Sequence, residues 1–190
     1  MIFKPHPYQQ YCIRQILQKP AIGLFLDMGL GKTAITLTAV NELKYGRFLV
    51  RRVLVIAPKK VAEATWQREA QKWDNLKHLR FSTGLGGETK RIRALNTPAD
   101  VYVINRENVV WLVTYYQNDW PFDMVVCDEF SSFKSHSAKR FKALAAIRPH
   151  IRRIVGLTGT PSPNGLMDLW SQVYLLDRGE RLGRYYTHFR

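Results

Sequence analysis

The sequence predicts a three-layer α/β domain with a mainly parallel central sheet. Three observations carry this expectation: six short apolar, β-branched runs, helical periodicity in the stretches between them, and a length of 190 residues, enough for one domain with a sizeable core. Strands covered on both faces read as unbroken apolar runs, whereas a sheet wet on one face alternates. Alternation of strand and helix then argues for right-handed crossovers, with a ligand outside the carboxyl ends of the strands.

The first strand is AIGLFL at 21–26, and TAITLTAVNELKYG supplies the helix behind it. VLVIA at 53–57 is the second, followed by KVAEATWQREAQKW, in which Trp66 and Trp73 share one helical face, the pattern of core packing. LRFS at 79–82 and VYVI at 101–104 are the third and fourth. MVVC at 124–127 is the fifth, ahead of a helix in SSFKSHSAKRFKALAAI, and RIVGL at 153–157 is the sixth. No repeat, low-complexity tract or linker interrupts the series. The final LGRYYTHFR carries no helix stop signal, as expected of a chain cut from something longer.

A hydrophobic content of 46% excludes a disordered chain. Lys and Arg number 29 against 15 Asp and Glu, a formal charge of +14 spread from end to end. Such a surface suits a polyanion, nucleic acid foremost, because neutralised phosphates release counterions without any base being read; solubility alone is the alternative. Arg140, Arg152 and Arg153 read as solvated surface charge. Cys12 and Cys127 lack metal-ligand spacing and read as reduced thiols, Cys127 buried. With no leader pattern and no apolar stretch of the roughly twenty residues that span a bilayer, the chain reads as intracellular and cytoplasmic, with no membrane partner.

Chemistry enters at DMGLGKT, Asp27 to Thr33. A strand, a glycine-rich turn and a helix form the context that makes a phosphate loop. Gly29 and Gly31 let the turn aim its N–H groups inward, and the helix N-terminus favours an anion. Lys32 reaches for the β- and γ-phosphates and Thr33 for Mg²⁺. The match is to a relaxed pattern, since Leu26 stands where the strict form has glycine. GLGGETK at 84–90 also offers glycines, but in Thr-Lys order, and reads as a surface loop whose Lys90, Arg91 and Arg93 could touch a nucleic-acid backbone.

A nucleotide hydrolase also needs an acid for the metal and a base for water, delivered from a neighbouring strand end. FDMVVCDEF offers both: Asp128 for the Mg²⁺ shell and Glu129 to orient or deprotonate water. The competing reading makes the pair a solvated cap on the helix that follows.

In this order the motifs resemble the first RecA-like lobe of superfamily-two helicases and translocases, most closely Swi/Snf-like ATPases of bacterial or phage type. PHPYQQ at 5–10 is similar to the family's adenine-reading segment, DMGLGKT to motif I, VIAPKKVAEATWQREAQKW at 55–73 to motif Ia, and VYVINRENV at 101–109 to the next segment. DEFSSFK at 128–134 resembles motif II and LTGTPSPN at 157–164 motif III. The resemblance implies that Mg²⁺ and ATP are held by Gln9, Asp27, Met28, Gly29, Leu30, Gly31, Lys32, Thr33 and Asp128, with Tyr8 beside Gln9 and His6 either near the adenine or merely on the surface. It implies that Pro58, Lys59, Lys60, Asn105 and Arg106 line a groove for DNA, double-stranded, and that Thr158, Gly159 and Thr160 couple the two sites while also forming a tight turn. It further implies a second RecA-like lobe absent from these 190 residues. The departure is at motif II, where many relatives read Asp-Glu-x-His and this chain has Phe130 and Ser131. A non-motor phosphate-loop hydrolase and a nucleic-acid-binding module without turnover are the remaining alternatives.

Overall fold

The computed structural model describes residues 1–27, 29–162 and 164–189, so the expectation for Met28 lies outside the described residues. Six strands form one sheet: β1 Ala21–Phe25, β2 Val53–Ala57, β3 Phe81–Gly84, β4 Val101–Asn105, β5 Met124–Asp128 and β6 Arg153–Thr158. Their order is β1-β6-β5-β2-β4-β3, and every pairing is parallel. The helices are α1 Pro7–Gln18, α2 Lys32–Asn41, α3 Lys59–Lys72, α4 Glu88–Leu95, α5 Val109–Tyr116, α6 Lys139–Ile147, α7 Met167–Asp177 and α8 Tyr186–Phe189.

The two sides of the sheet hold separate apolar clusters, and β2 shows why its run is unbroken. Val53, Val55 and Ala57 join the cluster under α1, α2 and α3, while Leu54 and Ile56 join the one under α5, α6 and α7. All five residues are buried. Cys127 is buried as expected, and burial pushes its thiol well above the usual range.

Two elements differ from the sequence reading. The third strand starts two residues later than LRFS, because the Leu79 N–H closes a turn onto the Leu76 carbonyl, and it runs on to Gly84 opposite Ile104. The helix expected from Ser131 onward begins only at Lys139, after a 3₁₀ turn at Phe130–Phe133 and an extended Ala138. Serine side chains compete for local hydrogen bonds and disfavour helix interiors; here the Ser135 and Ser137 hydroxyls bond each other at 3.2 Å.

Arg153 is not solvated as the sequence suggested. Its guanidinium donates to the carbonyls of Ile16 and Leu17 at 3.1 and 3.3 Å, closing the end of α1, where orphan carbonyls and the helix dipole favour a cation. The buried Arg148 does the same for α7 through Leu175 and Leu176. At the amino edge of the sheet the fully buried Asp100 accepts from Lys44, Tyr45 and Arg80.

Candidate nucleotide site at the carboxyl edge of the sheet

The strand order sets the site. β1 delivers the glycine-rich turn, β5 delivers Asp128 and Glu129, and β6 alone lies between them. At strand spacings of about 4.8 Å this puts the two ends roughly 10 Å apart. The Lys32 ammonium is close enough to Asp128 to stabilise its charge. The ladder extends one step past β1, with Leu26 N–H donating to the Thr158 carbonyl at 3.1 Å.

Gly29 and Gly31 adopt φ of 81° and 79°, the left-handed region that strains any other residue. Gly31 is the N-cap of α2, and no side chain among the described residues caps that helix, a helix start of the kind that favours an anion. A Cβ on Gly31 would sit 2.6 Å from the Gln9 amide nitrogen. That amide donates to the Leu30 carbonyl at 3.2 Å, the Tyr8 hydroxyl donates to the same carbonyl at 3.1 Å, and Gln9 Oε1 accepts the His6 N–H. Gln9 is therefore buried as a brace between α1 and the phosphate loop, with one amide hydrogen to spare for a base. A cavity of about 420 Å³ opens beside it, walled by His6, Tyr8, Gly29, Gly31 and Trp73. His6 is exposed, its ring parallel to that of Tyr8.

Thr36 and Thr38 turn their hydroxyls back onto helix carbonyls, whereas the Thr33 hydroxyl has no partner among the described residues. A hydroxyl and a carboxylate such as those of Thr33 and Asp128 are hard oxygen donors, the kind that suits a magnesium ion. No larger cluster of His, Cys, Asp or Glu that could hold a metal occurs among the described residues.

Asp128 is half-buried, and burial raises its carboxyl above the ordinary value against the Trp66 indole, the Glu129 N–H and Lys32, while the Glu129 charge adds to the rise. Glu129 itself is exposed at φ 52°, ψ 61°. A left-handed glutamate costs about 1–2 kcal/mol and persists only where its surroundings enforce it. Here the next residue does so: the Phe130 ring is fully buried against Gly156 of β6, at a spot where any Cβ would collide with it. The pair does not cap α6, which starts ten residues after Glu129 with Ala138 as its N-cap; Glu129 is the N-cap of the 3₁₀ turn at Phe130–Phe133, without a side-chain hydrogen bond to it. Sequence reasoning missed both Phe130 as an anchor and Trp66 as a partner of Asp128; the only signal for the first was the absence of a side chain in β6.

At the end of β6, Thr158 is buried and its hydroxyl accepts the Thr160 N–H at 3.2 Å. Gly159 lies against the Leu26 carbonyl and the Asp27 Cα. The segment is therefore a tight turn that also touches the entry to the phosphate loop.

The expected groove residues occupy the neighbouring strand ends. Pro58 caps α3, Lys59 and Lys60 are exposed in its first turn, and Asn105 ends β4 opposite Ala57. Their engagements differ. Asn105 is buried, its amide donating to Glu107 at 2.9 Å and its carbonyl accepting from Asn108 at 2.7 Å; Arg106 pairs with Glu107 at 3.4 Å. Lys59 and Lys60 have no ion-pair partner among the described residues. In α4, after the glycine loop that follows β3, Arg91 lies 4.3 Å over the Trp111 ring and donates to the Gly86 carbonyl, so it fastens α4 to α5; Lys90 and Arg93 remain exposed.

The arrangement has relatives. A phage protein, putative protein p41 of Acyrthosiphon pisum secondary endosymbiont phage 1, is 44% identical over 98% of this chain and 42% of its own length. The DNA excision repair protein ERCC-6-like of Bos taurus is 34% identical over 83% of the chain and 13% of its own. The Sulfolobus solfataricus SWI2/SNF2 ATPase core in complex with dsDNA superposes with a TM-score of 0.78 at 24% identity, covering all of this chain and 40% of that one, a likeness of fold. The chain thus spans less than half the length of these relatives. No described helix is long and apolar enough to cross a membrane. The SNF2-related domain model matches residues 9–181, nearly the whole of the sheet and its covering helices, and the chain belongs to that family.

Proposed function

We propose that this chain is the ATP-binding, N-terminal RecA-like lobe of a DNA-dependent ATPase that couples Mg-ATP hydrolysis to movement on double-stranded DNA. The observation that supports it most is the convergence of the phosphate loop and the Asp128–Glu129 pair across one intervening strand, with Lys32 within electrostatic reach of Asp128. The loop N–H groups and Lys32 bind the phosphates. Thr33 and Asp128 would hold the Mg²⁺ ion. Glu129 aligns the attacking water and takes its proton. Mg²⁺, when bound, neutralises charge on the β- and γ-phosphate oxygens.

A second lobe supplies the arginine that stabilises the transferring phosphoryl group, a contribution of about 10³ to 10⁵ in rate. The isolated chain therefore binds nucleotide and turns it over slowly. Titrating ATP with and without duplex DNA at two salt concentrations tests the reading, since a translocase lobe binds both ligands and salt weakens the DNA term most. Lys32→Ala abolishes tight triphosphate binding, while Glu129→Gln retains binding and stops turnover in the two-lobe protein. Unchanged turnover in Glu129→Gln would remove the water-activating role, and fast DNA-stimulated turnover by the chain alone as a monomer would contradict the two-lobe requirement.

A further inference from the structure

The indole of Trp66 is 1% exposed in the second half of α3, and its Nε1–H donates to Asp128 Oδ2 at 3.0 Å across 62 residues of sequence. The other carboxylate oxygen, Oδ1, accepts the Glu129 backbone N–H, also at 3.0 Å. Two donors on two different oxygens fix the rotation of the carboxylate plane. Each oxygen keeps a second lone pair for other partners.

Ordinary satisfaction of a buried indole does not require this choice. Trp73, the half-buried C-cap residue of α3, satisfies its N–H locally at Glu69, 3.2 Å away. The Trp120 indole nitrogen has no partner among the described residues. Trp66 instead reaches from α3 to the end of β5. The neighbouring pairing of β2 with β5, from Val53 opposite Met124 to Ile56 opposite Cys127, holds the two elements in register, because α3 starts from the end of β2. The indole and the carboxylate are thus carried on adjoining rigid elements, the condition under which a hydrogen bond can orient a ligand group.

We infer that Trp66 is a positioning residue: its indole N–H holds the Asp128 carboxylate in the orientation that receives a magnesium ion with its water shell. This rests on the reading of Asp128 given under the proposed function. Hydrogen-bond partners of metal-binding groups are worth about 10- to 100-fold in metal affinity or activity when removed. A carboxylate acting through the ion's waters belongs at the low end of that range.

Trp66→Phe keeps the buried ring and deletes the donor. Binding of a non-hydrolysable ATP analogue is measured with magnesium and with chelator, and the indole ¹⁵N–¹H signals of the labelled chain are followed in parallel. The expected result is a roughly tenfold loss in the magnesium-dependent part of binding, with analogue affinity in chelator unchanged. Equal losses in both conditions, or no loss in either, would overturn the proposal and leave Trp66 a packing residue. Asp128→Asn is the companion variant: if it too leaves the magnesium dependence intact, the reading of Asp128 fails rather than the role of Trp66. Should Trp66→Phe not fold, the wild-type spectrum decides. The indole signal that moves on Asp128→Asn must also move when magnesium is added to the analogue complex, and a signal indifferent to magnesium would refute the inference.

Discussion

The carboxyl edge of the sheet divides into two halves that solve different problems. On the β1, β6 and β5 half the distinctive feature is the backbone. Three residues, Gly29, Gly31 and Glu129, take left-handed dihedrals, α2 is left uncapped, and the Thr33 hydroxyl stays unpaired among the described residues. On the β2, β4 and β3 half the left-handed backbone is confined, among the described residues, to Gly86 after β3, and the polar side chains satisfy one another, with Asn105, Arg106 and Asn108 tied up around Glu107 or each other. Only Lys59 and Lys60 stand free of such ties among the named groove residues. A triphosphate has a fixed shape and rewards pre-set N–H groups. A phosphate backbone is long and repetitive, and rewards mobile charge.

The comparison breaks first at Gly31. Alanine there meets a positive φ of 79° and a Cβ 2.6 Å from the Gln9 amide, so either the loop or the Gln9 bond to Leu30 must give. The dihedral alone costs about 1–2 kcal/mol, and because the loop N–H groups move with it, affinity for ATP falls by about tenfold or more. Calorimetry checks this, and unchanged affinity would mean that the loop is not pre-set.

Asp100 belongs to neither half, and it separates stability from binding. Burial acts to raise its carboxyl, but the Arg80 N–H together with Lys44, Tyr45 and the Arg80 guanidinium more than reverse this and hold it well below the ordinary carboxylate range. A depressed native value means that the unfolded chain binds a proton more readily than the folded one as pH falls. The stabilisation is therefore complete above the unfolded value of about 4 and is lost progressively below it. Thermal melting followed from pH 7 to pH 3 should show this acid limb in the native chain. Asp100→Asn should be less stable at pH 7, flatter toward acid, and unaltered in nucleotide affinity at temperatures where it is folded.

Gly156→Ala tests the link between sheet and site. The added methyl must displace the Phe130 ring, and overpacking of this kind costs about 1–3 kcal/mol. The turn that forces Glu129 into its left-handed conformation moves with Phe130, so turnover in the two-lobe protein should fall further than nucleotide binding. Melting temperature and single-turnover kinetics report the two effects separately; a change in stability alone would show that the Glu129 geometry does not depend on Phe130.

These residues also mark where the sequence could be read and where it could not. The ends of β1 and β5 were legible in DMGLGKT and FDMVVCDEF, because glycine and acidic residues break an apolar run where a buried strand stops. The six strands were legible because burial on both faces writes an unbroken apolar run. Trp66 was read correctly as core, but a hydrogen bond spanning 62 residues depends on strand order, which no local window contains. Arg153 failed for the same reason, since its carbonyl partners belong to a helix 136 or more residues away. The helix expected over SSFKSHSAKRFKALAAI held only from Lys139 onward, because the serine-rich start was judged by the apolar periodicity that follows it.

The smallest effect belongs to the groove half. If the free charges there do the binding, Lys59→Ala with Lys60→Ala should weaken duplex DNA binding evenly across sequences and reduce the slope of log affinity against log salt by about two. Asn105→Ala should leave that slope unchanged, because its amide is spent on Glu107 and carries no charge to exchange for counterions. A fluorescence titration over several salt concentrations distinguishes them. Equal slopes for the lysine pair and the native chain would move the polyanion surface elsewhere on this basic molecule. A lower slope for Asn105→Ala would mean that Glu107, released from the asparagine, had captured a cation that otherwise meets phosphate.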